Sequence, residues 1–124
     1  MSEEAESVLK DFLGGSIDLR APKLVVYEVG NTLWKAVKQG FIDLHEAAQR
    51  LSHFLRLRID TIELDDEGRG DALRWGVKNG LTYYDSLYVE SSRRVGAILL
   101  TADDVLYEKA RKETPTLHLR DYKE

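Results

Sequence analysis

Cysteine is absent from the 124 residues, which excludes disulfides and thiolate-built zinc sites. Histidine is scarce: His45, His53 and His118 are scattered and form no HxxxH or HxH pair. Any bound metal should therefore be a hard cation held by carboxylate oxygens. Long apolar runs are missing as well, none exceeding four or five residues, and no basic-then-apolar segment opens the chain. Neither a membrane span nor a signal peptide is expected, and the chain reads as cytoplasmic. Positive charge is in deficit, with 18 Lys and Arg against 22 Asp and Glu, for a net charge of −4. That balance argues against a simple electrostatic nucleic-acid binder. It is compatible with an enzyme that meets phosphates through bound cations. No repeat, low-complexity tract or Pro/Gly/Ser linker divides the chain.

What is present is a foldable composition, 43% hydrophobic and 32% charged, at a length that favours a single domain. Ser2 can cap a first helix, with Glu3 and Glu4 at its positive end and Ala5, Val8, Leu9, Phe12 and Leu13 at helical spacing. Gly14-Gly15 stops it, and Ile17 and Leu19 alternate in a short extended piece. Ala21-Pro22 is expected to open a second helix running to about Lys38. Asp43 with Glu46 marks the next helix start, carried on by Leu44, Ala47, Ala48, Leu51, Phe54 and Leu55. A strand is expected over 58–64, and then a glycine-interrupted helix from Asp65 or Asp66 to Asn79-Gly80. After these come a helix from about Tyr83 to Val95, a buried strand over 97–101, a helix from about Val105 to Lys112, and a last strand at 116–119. Helices alternating with short apolar strands imply an α/β fold, a small parallel sheet with helices on both faces. Such sheets place their sites beyond the carboxyl ends of the strands.

Most of the 22 acids must be solvated surface, but three have unusual settings. Glu28 follows Leu24-Val25-Val26 and shares a helix face with Asn31 and Thr32. A carboxylate so close to apolar bulk needs a partner or a metal. Asp85 lies in LTYYDSLYV, in a first helical turn ringed by Leu81, Tyr83, Tyr84, Leu87, Tyr88 and Val89. Its plain reading is an acid favoured by the helix's positive end. Asp103 comes two residues after a buried strand, where it can cap the next helix, a task for which Asp104 competes. Thr101 can orient Asp103 through its hydroxyl. Three acids from separate segments suit Mg²⁺ or Mn²⁺, which takes a few carboxylates and keeps several waters.

The stretches are more specific together. APKLVVYEVGNTLWKAVKQG resembles the acidic-helix motif of the PIN-domain family, with Glu28 as its glutamate and Asn31 at the usual offset. GLTYYDSLYVESSRRVGAILLTADDVL resembles the second block of that family, with Asp85 in the YDxxY element and Asp103 as the last aspartate of T-x-D. The chain is similar to the small prokaryotic VapC-type toxins. The resemblance implies a single PIN-like domain over 1–124, a divalent-metal-dependent endoribonuclease activity, and a small VapB-like antitoxin as partner. Glu28, Asp85 and Asp103 would hold the metal, with Asn31 and Thr101 supporting them. Lys35, Lys38, Arg93 and Arg94 are candidate phosphate contacts, although each taken alone reads more readily as solvated helix-surface charge. The apolar area of the helix at 43–55 and of the helix bearing Trp34 points to a homodimer.

One departure stands out. The family begins with a central hydrophobic strand ending in aspartate, and residues 1–6 supply neither, so the chain reads as truncated at its N terminus relative to the family. A misplaced start, completion by a partner strand at the exposed edges, or a degenerate protein would each explain it. The last supports an alternative function, a catalytically degenerate binding module that keeps the partner surface. A metal-dependent phosphatase fits less well, because no Asp-x-Asp or glycine-rich phosphate loop follows a strand.

Overall fold

A computed structural model describes residues 2–123. The order is α1 (Glu3–Leu13), β1 (Arg20–Pro22), α2 (Val25–Lys38), α3 (Leu44–Arg56), β2 (Asp60–Ile62), α4 (Asp66–Asn79), α5 (Tyr83–Val95), β3 (Leu99–Thr101), α6 (Asp104–Ala110) and β4 (Thr116–His118), followed by a 3-10 turn at Leu119–Asp121. The fold is helix-rich α/β, as expected. Helix starts follow local capping chemistry. Ser2, Asp43, Asp65, Thr82 and Asp103 each accept a backbone N–H of the first turn that would otherwise lack a partner. Two helix ends are set by glycine in the left-handed region, Gly80 and Gly96, both at φ 70°.

The expectation that Ala21-Pro22 opens the second helix is not met. Pro22 is buried and closes β1, and α2 begins three residues later without a side-chain cap. The reason is non-local. Arg20, Ala21 and Pro22 lie parallel to Asp60, Thr61 and Ile62, and the N–H of Lys23 donates to the carbonyl of Ile62 at 3.3 Å. Proline lacks an N–H, but its fixed φ suits a short extended segment. The extended piece expected around Ile17 and Leu19 is thus realised just beyond them.

Parallel pairing takes the form of two separate pairs. β1 pairs with β2, and β3 pairs with β4 in the register Leu99–Thr116, Leu100–Leu117, Thr101–His118. The chain divides into two compact units, one from residues 2–19 and 63–123, the other Arg20–Ile62. In the first unit, Val89, Leu99, Leu106 and Ala110 form the core, with Trp75, Leu81 and Tyr88 packed against it. Helices α4 and α5 approach closely there, with Gly68, Ala72 and Gly76 buried at every fourth residue of α4 and Gly76 lying directly against Ser86 of α5. The hydroxyl of Tyr122 donates to Asp11 and ties the C-terminal segment to α1. In the second unit α2 lies against α3, with Ala47 and Pro22 buried. Among the described residues no helix is long and apolar enough to cross a membrane.

Candidate active site

The carboxyl ends of β3 and β4 collect polar groups. Thr101 ends β3, and its hydroxyl accepts the backbone N–H of Asp103 at 3.1 Å. Asp103 then caps α6, its Oδ1 accepting the N–H of Leu106 at 2.9 Å. The cap engages one carboxylate oxygen, so capping and ligation are compatible roles for this exposed side chain.

Asp104 does not compete for the cap. Its Oδ1 lies 2.8 Å from Nε2 of His118 and 3.2 Å from Nη1 of Arg120. The backbone N–H of Arg120 donates to Nδ1 of His118 at 3.2 Å, which assigns the proton of the neutral ring to Nε2, facing Asp104. His118 is buried, and its ring meets Tyr107 edge-on at 5.4 Å. Sequence reading passed over His118, Arg120 and Tyr107. The available signal was position: His118 ends a parallel strand in register with Thr101.

Asp85 is half-buried in the first turn of α5, and its own N–H donates to Oγ1 of Thr82 at 3.1 Å. Glu28 is half-buried in the first turn of α2, with Asn31 and Thr32 exposed on the following turn. Asp85, Thr101 and Asp103 thus belong to one unit, and Glu28, Asn31, Lys35 and Lys38 to the other.

Arg93 and Arg94 are committed within the first unit. Both guanidiniums bind Glu90, whose side chain is only 6% exposed, and Arg94 also donates to Asp71 at 2.8 Å. Hydrogen bonding to the Glu90 carboxylate is the first cause holding both guanidinium pKa values above the usual arginine range. Asp71 lies below the ordinary carboxylate range, chiefly through its hydrogen bond from Arg74 and, against some desolvation, the bond from Arg94. A phosphate reaching Arg93 or Arg94 would compete with a buried carboxylate.

The donors suit Mg²⁺ or Mn²⁺ in kind, being hard carboxylates. In number they fall short of a finished cage: among the described residues no group of three or more His, Asp or Glu is gathered closely enough to hold a metal.

Comparison with known proteins adds a family to this geometry. A family model described as PIN domain matches residues 2–112. Ribonuclease VapC3 of Pyrobaculum aerophilum is 33% identical over 112 residues, covering 87% of this chain and 80% of the relative. Exonuclease VapC9 of the same organism is 34% identical over 88 residues, covering 71% of this chain and 64% of the relative. The crystal structure of PAE2754 from Pyrobaculum aerophilum superposes with a TM-score of 0.69 at 28% identity, covering 82% of this chain and 71% of that one. With a matching fold and a match across most of its length, the chain belongs to the PIN-domain family.

Proposed function

We propose that this chain is a toxin-type ribonuclease of the VapC kind, a single PIN domain that hydrolyses RNA phosphodiesters with Mg²⁺ or Mn²⁺. The observation that carries the reading is Asp103, exposed just beyond the carboxyl end of β3 and held there by Thr101, in a chain 33% identical to a ribonuclease. Glu28, Asp85 and Asp103 are the carboxylates of the proposed site, with Asn31 and Thr101 steadying Glu28 and Asp103. The chemistry such a cation supplies is neutralisation of phosphate charge and activation of a water. Lys35 and Lys38, exposed on α2, are the better candidates for phosphate contact, since Arg93 and Arg94 face Glu90. Action in the cytoplasm on cellular RNA, under the control of a VapB-like antitoxin, belongs to the same reading. A partner-covered surface, in a homodimer or with the antitoxin, is supported by the second unit, where Trp34, Phe41 and Leu44 are 59%, 77% and 73% exposed. Purified protein supplied with Mn²⁺ should cut RNA, and Asp85→Asn should abolish the cutting. Cutting that survives this substitution sinks the assignment.

A second reading has its own support, the lack of a gathered three-acid group among the described residues. A PIN-fold binding module without nuclease activity would retain the partner surface and show no heat on titration with millimolar Mn²⁺. The enzyme would show metal-dependent heat that Asp103→Asn diminishes.

A further inference from the structure

Four arginines of the first unit, two on α5 and two near α6, differ in what they bind. Arg93 and Arg94 hold a carboxylate that is 6% exposed. Arg111 and Arg120 instead meet carboxylates in open solvent: Glu108 at 3.8 Å, Asp104 at 3.2 Å and Asp121 at 4.0 Å, all more than half exposed. Such surface pairs are weak and screened by salt, so another anion can replace the carboxylate.

These two guanidiniums are also organised. Both lie over the ring of Tyr107, Arg111 at 5.4 Å and Arg120 at 5.9 Å from its centroid. His118 braces the same ring edge-on. Asp104 and Tyr107 share a face of α6, and Arg111, its C-cap, follows four residues after Tyr107, a track of roughly 10 Å at about 1.5 Å per residue. At its start Arg120 binds Asp104, the residue next to Asp103.

We infer that Arg111, Tyr107 and Arg120 form a contact site for single-stranded RNA that leads to Asp103. The ligand class rests on the ribonuclease reading; the site itself rests on the geometry. Guanidinium is planar, always charged and matched to phosphate oxygens through paired N–H donors. Held over an aromatic ring it also offers a flat surface to an unpaired base, which a duplex does not present.

Binding of a short fluorescent single-stranded RNA by the full chain, followed by anisotropy in EDTA over a series of salt concentrations, tests this without cleavage. Arg111→Ala with Arg120→Ala should lower the slope of log affinity against log salt by about 1.4, at ~0.7 per phosphate contact. Arg111→Lys with Arg120→Lys should keep most of that slope and bind more weakly, because the planar guanidinium is lost. Arg50→Ala with Arg56→Ala, on α3, should leave the slope unchanged. Arg111→Glu, at a half-exposed position, gives the same test by a single change, should the alanine pair fail to fold. An unchanged slope in the alanine pair or in Arg111→Glu overturns the inference, as does absence of RNA binding by the parent chain. So does a loss of affinity for poly-L-glutamate with RNA binding intact, which would make the surface protein-facing. Restoring Mn²⁺ separates the two readings. Binding through this site without cutting removes the nuclease and keeps the contact site, and cutting with an unchanged slope does the reverse.

Discussion

The hydroxyl of Thr101 holds the backbone of Asp103, accepting its N–H at 3.1 Å, while the Asp103 carboxylate turns forward to cap α6. The same two-residue step makes the strand end, the turn and the helix start, so the direction of Asp103 is set by neighbours on both sides. Thr101→Val keeps the shape and removes the acceptor. Because this turn is exposed, water can take over the N–H, and the stability loss should stay near ~1 kcal/mol in urea unfolding. Mn²⁺ affinity or RNA cleavage should fall further, by about tenfold or more, if Asp103 must be held in place. Thr101→Ser should behave like the parent. Equal activity in the valine variant would mean that Thr101 serves the turn alone.

Gly76 is a packing requirement. A Cβ there would stand 2.4 Å from Oγ of Ser86 and 3.1 Å from the carbonyl oxygen of Leu81. Gly76→Ala should therefore destabilise by about 1–3 kcal/mol through overpacking, despite the better helix propensity of alanine. Adding Ser86→Ala removes the nearer obstacle and should restore part of the loss. Gly30, within α2, has nothing within 4 Å of the same position, and Gly30→Ala should stabilise by about 0.5–1 kcal/mol. Thermal or urea unfolding of the three variants gives the ordering; similar effects at both glycines would contradict it.

Glu90 predicts an asymmetry. Its carboxylate is almost wholly buried, whereas Arg93 and Arg94 are 43% and 30% exposed. Removing Glu90 frees two guanidiniums that water can solvate. Removing both arginines strands a buried charge, at a cost of roughly 3–5 kcal/mol. Arg93→Ala with Arg94→Ala should thus be more damaging than Glu90→Gln in denaturant unfolding. The reverse order would show that Glu90 is hydrated in solution.

Asp71 should mark the acid limb of stability. Its folded pKa lies below the ordinary value of 3.8, mainly because Arg74 donates to it. A depressed folded pKa contributes stability that is fully present above the unfolded value and is lost as pH falls through the folded one. Asp71→Asn should therefore flatten the decline in stability below about pH 4 and lower stability at neutral pH. A parallel acid limb in parent and variant would exclude this contribution.

Much of the fold was legible because its signals are local. Asp43 with Glu46, and the glycines at 80 and 96, set helix limits through hydrogen bonds and φ angles within a few residues. Asp103 was legible too, as a polar residue just past an apolar strand. Pro22 was not, because the parallel alignment with Ile62 spans forty residues and outweighs proline's preference for a first helical turn. Arg93 and Arg94 looked like free cations for the same reason: nothing in their own helix announces that Glu90 is buried.

The sequence by itself determined the acids, the caps and the family pattern of Glu28, Asp85 and Asp103, since these depend on residue type and short spacing. Tertiary structure alone decided which charges are already engaged. It buried Glu90 between Arg93 and Arg94, turned Asp104 to His118, and left Arg111 and Arg120 over Tyr107 with only exposed carboxylates to displace. The physical reason is that the strength of a charge pair depends on the solvent removed around it, and burial is set by elements distant in the chain.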